Sequence, residues 1–517
     1  MWRGFPDAGS DGPLMTAVQE RSADIDPRTV RRDGGIDGFV VTFVAVAVAA
    51  VWLLPLGSSL WLDETGTSFV IDGSLHDVIR RALDFQGQFP LYHVLLWSWS
   101  KVAGRSEIAL RFPSVVAGLV AAWLCYRLAH RIFADTTRAR LAACVFLLLP
   151  PVAFAAADAR PYALALASLL GTTVALVRWM ETDRARDAVT YVVLAALTLY
   201  LHYLFALAFV SHAVLVVPHL RRMGRRGLLV AAAGIAGLST LLLPAIPHLV
   251  DVIGRRDAMS LFTYGSIGEL LAWVAPPMLV LSFVAGYLAE PTPISPTDGP
   301  LGPEREGLAP LLVWLVLPPV TLFVAGQVSG IGLFADRHFL SSVPALALLA
   351  AAGFALLPPR GRRTAIAVLA VVLVLSHSSR IHMPNDWRGA DAAADELVED
   401  PRTPVFVQTS FSESRELDRI RDPRWSQLFL APLAAYPVRG EKHPLPLTIT
   451  PEGETYVQNI LVTATSTSDR IVLITAELQA TWDTWLTDRT STLGYRRVDI
   501  GQYGNIRVIL FERAMAG

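Results

Sequence analysis

From residue 39 to about residue 380 the chain alternates long apolar runs with short polar breaks, and the runs have the length of membrane spans. A helix needs about 20 apolar residues to cross a bilayer. That length places spans near residues 39–57, 111–130, 139–157, 161–179, 187–202, 203–219, 227–249, 268–289, 309–327, 338–357 and 364–380, about eleven crossings in all. The stretch "SLHDVIRRALDFQGQFPLYHVLLWSWSKVAGRSEIALRFPS" between the first two is too long for a turn and half apolar. Within it, "HDVIRRAL" and "PLYHVLLWSWSKV" predict two amphipathic helices at the membrane interface, with Tyr92, Trp97 and Trp99 at headgroup level. Residues 1–37 lack apolar periodicity and read as a disordered tail, not as a signal peptide.

Beyond about residue 381 the pattern becomes that of a water-facing domain. "PNDWRGADAAADELVED" predicts a helix. Strand patterns follow at "TPVFVQT", "PLTIT", "DRIVLIT", "YRRVDI" and "NIRVILFER", with a helix around "LQATWDTWLTDRTSTLGY". The expected architecture is an α-helical polytopic membrane protein spanning 38–380, followed by an extracytoplasmic α/β domain over 381–517.

Composition agrees, since 53% hydrophobic and 17% charged residues over 517 positions is too apolar for an ordinary soluble enzyme. Lys101 and Lys442 are the only lysines, and the arginines carry the topology signal. Short cytoplasmic loops are enriched in basic residues. A cytoplasmic N-terminus puts Arg28, Arg31 and Arg32 inside, then Arg127, Arg131, Arg138 and Arg140, then Arg178, Arg184 and Arg186. Arg221, Arg222, Arg225 and Arg226 follow, and Arg360, Arg362 and Arg363 complete the series. An odd number of crossings sends the C-terminal domain outside, and the expected location is a bacterial inner membrane. Cys125 and Cys144 lie inside apolar runs and read as core packing.

With the arginine clusters on one side, the remaining charged and polar residues gather on the other. "SSLWLDETGTSF" puts Asp63 and Glu64 just past the first span, and "ADARPY" puts Asp158, Arg160 and Tyr162 at the next outer turn. His202 and Tyr203 mark a third turn, "VDVIGRRDAM" brings Asp251, Arg255, Arg256 and Asp257, and "FADRHFL" brings Asp336, Arg337 and His338. Polar groups near membrane depth are costly unless paired or in a cavity, so their convergence points to a functional cleft.

Several of these segments together resemble GT-C glycosyltransferases, in the branch similar to bacterial protein mannosyltransferases and lipid A aminoarabinose transferases. The matching pieces are "LDE", "PLYHVLLW", "SEIALRFPSVVAGLVAAWLCYRLAHRIF", "ADARPYALALA", "LHYLFALAF" and "DRHFLSSVPALALLAA", spread over roughly residues 58–358. The chain departs from the family where His-Pro-Pro often precedes Leu-Tyr, having Gln88 and Phe89 before Pro90. The resemblance implies a polyprenyl-phosphate sugar donor and an acceptor that is an envelope glycan, glycolipid or protein, with membrane lipid as surroundings and no nucleic acid partner. It implies inverting transfer on the outer face, with Asp63 as base for the acceptor hydroxyl and Arg337 and Arg160 on the leaving phosphate. Arg255, Arg256 and Lys101 stand behind them. Glu64, Asp158, Tyr162, His202, Tyr203 and His338 complete the expected substrate-binding set.

Each assignment has a structural competitor. Asp63 can cap the helix that follows it, and Glu64 can orient Asp63, touch acceptor or face water. Asp158 can pair with Arg160 or Arg337, His202 and His338 can be structural hydrogen bonders, Tyr162 and Tyr203 interfacial anchors, and Lys101 a snorkelling residue. No zinc-type ligand spacing occurs, and a lipid-phosphate donor has no nucleotide pyrophosphate to demand Mg²⁺, so no metal or other cofactor is expected. No phosphate-binding loop or dinucleotide fingerprint is present either, which removes ATP-driven transport by this chain alone. A lipid-linked-sugar flippase or secondary transporter would put ionisable residues near the bilayer midplane, and a non-catalytic envelope scaffold would tolerate loss of Asp63.

Overall fold

The computed structural model describes residues 38–255, 265–288, 304–377, 385–476 and 481–514. The tail expected over residues 1–37, together with Arg256 and Asp257, lies outside the described residues. Each expected span is helical where described, but the lengths differ from the apolar runs. Among the described residues, six helices are long and apolar enough to cross a membrane, or eight if each of two bent pairs is one span, against the about eleven expected.

Prolines account for the bends. Thr136–Leu148 and Pro150–Ala156 meet at 66°, and Ile267–Val274 and Pro277–Val284 at 48°. Pro150 and Pro151 in the first pair, and Pro276 and Pro277 in the second, lack the N–H that would continue the ladder. Of the other expected spans, Ala185–Leu201 has 17 residues, Leu340–Ala355 is also short, and Pro359–His377 carries Arg360, Arg362 and Arg363 at its start. The helices approach closely where side chains are small. A Cβ on Gly118 would sit 3.0 Å from both Ala156 and the ring of Trp52.

The two helices expected between the first spans are Leu75–Phe85 and Leu91–Ala103. Ser74 caps the first, its hydroxyl accepting from the Asp77 N–H at 3.2 Å while the Asp77 carboxylate takes the Ser74 N–H. A further helix, Leu62–Val70, stands before them and carries the acidic pair. Trp97 and Trp99 anchor the second helix by donating to the carbonyls of Gly73 and Ala109. Tyr92 does not reach headgroup level, being 2% exposed inside the protein.

The C-terminal region holds a five-stranded sheet, β1 Pro404–Gln408, β2 Glu441–Pro444, β3 Arg470–Ala476, β4 Tyr495–Tyr503 and β5 Ile506–Arg513, in the order β2-β1-β3-β5-β4. The pairs β2/β1 and β1/β3 are parallel, whereas β3/β5 and β5/β4 are antiparallel. Buried β1 and β3 have apolar side chains on both faces, as the centre of a covered sheet requires. Trp387 packs on one face and Trp482 with Leu486 on the other. The expected strand "PLTIT" does not form; the strand is Glu441–Pro444 instead. Pro446 cannot donate to a ladder, and Thr450 caps the helix Pro451–Thr467 by accepting from the Gly453 N–H at 3.1 Å.

This region is welded to the helices beyond the first span. Phe69, Val70, Ala82 and Phe85 form one apolar core with Ile420, Leu428, Phe429 and Ala431. Tyr436 donates to Glu107 at 2.9 Å and accepts from the Leu60 N–H at 2.9 Å, so the sheet region and the first two spans are tied at one point.

Candidate active site

The acidic pair occupies the first turn of Leu62–Val70, where the helix dipole favours negative charge. Adjacent residues on a helix are about 100° apart, and here that separation gives the two carboxylates different surroundings. Glu64 points inward. Its Oε2 accepts the Trp61 N–H at 3.2 Å, and its Oε1 accepts from Arg111 Nε at 2.7 Å and from the Ala159 N–H at 2.8 Å. Arg111 Nη2 also donates to Oε2, and both side chains are fully enclosed. The guanidinium then donates to the carbonyls of Leu56 (2.9 Å), Ser58 (2.8 Å) and Ser59 (3.0 Å). One buried ion pair therefore ties together the end of the first span, the helix of the acidic pair, the helix Glu107–Phe133 and the turn containing Asp158 and Arg160. The capping role considered for Asp63 belongs to Glu64, and Glu64 is turned away from the cavity.

Asp63 faces the other way. Arg337 Nη1 lies 3.3 Å from its Oδ2, with 23% of the Asp63 side chain and 26% of Arg337 exposed. Both line a cavity of about 180 Å³ together with Arg160, Gln86 and Gly87, and its opposite wall is Ser410, Phe411, Ser412, Glu413 and Leu428 of the C-terminal region. Gly66 lets this wall come close, since a Cβ there would touch the Phe411 ring at 3.5 Å. Arg160 is held by Gln86 Oε1 at 3.0 Å and Thr67 Oγ1 at 3.4 Å, and its Nε is buried with no partner among the described residues. Glu413 accepts from Ser412 Oγ at 3.1 Å, and burial pushes its carboxyl above the ordinary glutamate range.

Asp158 makes no ion pair with Arg160 or Arg337, the structural alternative to substrate contact. Its Oδ1 accepts from Trp61 Nε1 at 3.0 Å, and its Oδ2 is buried with no partner among the described residues. Burial, and then the charge of Glu64, push the Asp158 carboxyl well above the usual range. Tyr162 is buried, its ring 5.5 Å from that of His202. Burial holds His202 neutral, its pKa lowered to about 3, with Nδ1 unpartnered. His338 is lowered to about 4 by burial, and its Nδ1–H donates to the Leu333 carbonyl at 2.8 Å. Tyr203 meets His248 Nδ1 at 2.8 Å, and His248 Nε2–H donates to the Gln86 carbonyl at 3.2 Å, which makes the tyrosine the donor. Neither Tyr162 nor Tyr203 is a simple interfacial anchor.

The structure thus brings Asp63, Arg160 and Arg337 to one cavity, puts Glu64 and Asp158 in the framework beside it, and gives His338 and Tyr203 structural bonds. Arg255 pairs with Asp251 and donates to the Asp84 carbonyl, fixing the helix Leu75–Phe85, and Lys101 lies 5.0 Å over the Trp97 ring. Sequence reasoning missed Arg111, Trp61, Gln86 and the whole wall Ser410–Glu413. Only Arg111 carried a signal, as a lone charge at the start of an expected span.

The Asp63 carboxylate and two guanidinium groups thus line a small cavity where the helix bundle meets the α/β region. Residues 88–250 match the family model described as dolichyl-phosphate-mannose-protein mannosyltransferase. Among solved structures, ArnT from Cupriavidus metallidurans in the apo state aligns with a TM-score of 0.56 and 13% identity, covering 92% of this chain and 98% of that one. The same protein bound to undecaprenyl phosphate aligns with a TM-score of 0.54 and 12% identity, over 93% and 98%. The arabinosyltransferase EmbB from Mycobacterium smegmatis gives 0.41 and 16%, over 75% of this chain and 36% of that one. No curated protein matches the chain. At these identities the ArnT likeness establishes the fold. With the family match, it makes the chain similar to PMT-like GT-C membrane glycosyltransferases, the resemblance drawn from its motifs.

Proposed function

We propose that this protein is a glycosyltransferase that moves a hexosyl or pentosyl group from a polyprenyl-phosphate donor to a hydroxyl of an envelope glycan, glycolipid or protein. The observation that carries the reading is the partly exposed Asp63 carboxylate in the same cavity as Arg337 and Arg160. The acceptor oxygen attacks the sugar C1 while Asp63 takes its proton. The C1–O bond to phosphate breaks on the opposite side, and the electron pair leaves on the phosphate, so the anomeric centre inverts. Charge grows on the phosphate oxygens as this happens. The guanidinium groups of Arg337 and Arg160 stabilise it, their planar forks matching phosphate geometry. With two arginines on the leaving group, this chemistry requires no metal.

The cavity end faces the extracytoplasmic side in this reading, because the arginine clusters occupy the opposite helix ends. A lipid-linked donor then reaches the site from within the membrane, and the acceptor from above, past the wall Ser410–Glu413. Purified protein is expected to transfer sugar from synthetic polyprenyl-phosphate sugars to envelope acceptors. A donor panel of hexosyl, arabinofuranosyl and amino-sugar lipids identifies the sugar. No turnover and no donor hydrolysis across that panel would refute the reading.

A further inference from the structure

At the arginine-rich end of the bundle, away from the cavity, the helices Ala185–Leu201 and Arg225–Leu242 flank an apolar groove of about 610 Å³ that is open on the outer surface of the bundle. Its lining follows one face of the second helix, from Arg226 through Val230, Gly234 and Gly237 to Leu241. Two glycines hollow it out. A Cβ on Gly234 would meet nothing within 4 Å, and one on Gly237 would only touch Val192 at 3.6 Å. The lined stretch rises about 22 Å, more than the roughly 15 Å of hydrocarbon in one leaflet. The groove is therefore long enough to take an acyl chain along its length, with Arg226 at its polar end.

Charge specifies that headgroup. Two acids at this end are held by arginines, Glu181 by Arg131 and Asp187 by Arg178 at 3.4 Å; Asp183, which lines the groove, is bonded to His219 at 3.0 Å, an ion pair only when the imidazole is protonated, and stands as one carboxylate against four arginines. Arg184, Arg186, Arg225 and Arg226 are exposed and form no ion pair among the described residues. The arrangement recurs on another face, where a groove of about 550 Å³ lined by Leu119, Trp123 and Leu147 carries Arg140. We infer that the groove ending at Arg226 is a binding site for an anionic phospholipid, its acyl chain seated over Gly234 and Gly237 and its phosphate on the unpaired arginines.

The test is native mass spectrometry of the full chain with added phosphatidylglycerol or phosphatidylcholine, for the natural sequence, Arg226→Gln and Gly234→Leu. Arg226 is exposed and a side chain on Gly234 grows into open space, so both variants should fold, as a melting curve on the same samples checks. Bound phosphatidylglycerol is expected to exceed phosphatidylcholine, and to fall by about fivefold in Arg226→Gln, the weight of one arginine at an anionic surface. Gly234→Leu should lower both lipids by obstructing the chain. Equal retention of the two lipids, or unchanged occupancy in both variants, overturns the proposal. A dimer of the natural sequence that Gly234→Leu abolishes also overturns it, by assigning the groove to a second copy.

Discussion

Two neighbouring regions of this molecule are built from the same materials, a carboxylate and an arginine, to opposite ends. Under the cavity, Glu64 and Arg111 are fully enclosed and bonded to six backbone groups, the Trp61 and Ala159 N–H groups and the carbonyls of Pro55, Leu56, Ser58 and Ser59. On the cavity wall, Asp63 and Arg337 meet at 3.3 Å and keep about a quarter of their surface open. A buried pair that has satisfied its hydrogen bonds locks geometry and has nothing left to offer a substrate. A partly open pair remains accessible, and in the proposed reaction the locked pair beneath it would fix where the chemistry occurs.

The contrast can be broken from either side. The largest stability effect is expected from Glu64→Ala or Arg111→Leu, each of which leaves an uncompensated buried charge. Each should cost about 3–5 kcal/mol, read as thermal unfolding in detergent. A variant as stable as the parent would mean that the pair is not the clamp described. Arg337→Gln should change stability by less than about 1 kcal/mol but lower sugar transfer by about ten- to a hundredfold, measured as turnover per folded molecule. Comparable losses in both quantities would erase the distinction between the regions. Trp61→Phe removes the bond to Asp158 and should cost about 1–2 kcal/mol, the same unfolding assay providing the answer.

The effect that is smallest at neutral pH, and that grows as the solution is acidified, comes from two histidines. His202 and His338 have folded-state values of about 3 and about 4, below the ordinary histidine value of about 6.5. Between those values the unfolded chain binds more protons than the folded one, so their contribution to stability is present above about pH 6.5 and is lost as the pH falls toward 4. His202→Gln should flatten that decline, and an unchanged slope would show that His202 is not held neutral. Neither histidine changes charge between about pH 6 and 8, so neither replacement should move a pH–rate profile there.

How much could be read from the sequence depended on range. Local signals carried well: the apolar runs locate the helices, and the order of "LDE", "ADARPY" and "DRHF" along the alternating spans is enough to bring Asp63, Arg160 and Arg337 to one end. Helix length carried less well, because prolines and charges cut spans that periodicity alone extends. The contacts that define the cavity were not legible, since Phe411 comes to Gly66 across some 345 residues of chain. Glu64 shows the finer limit. Its identity as an acid was plain, but which of two adjacent acids is sealed depends on Arg111, a residue that reads as the edge of an apolar span until its partner is known.

The central claim is that Asp63, and not its neighbour, does the chemistry, and turnover of Asp63→Asn tests it most directly. With polyprenyl-phosphate sugar donors, transfer per folded molecule should fall by about 10²–10⁴-fold while the unfolding curve overlays that of the parent. Turnover that survives in a folded Asp63→Asn protein would contradict the account.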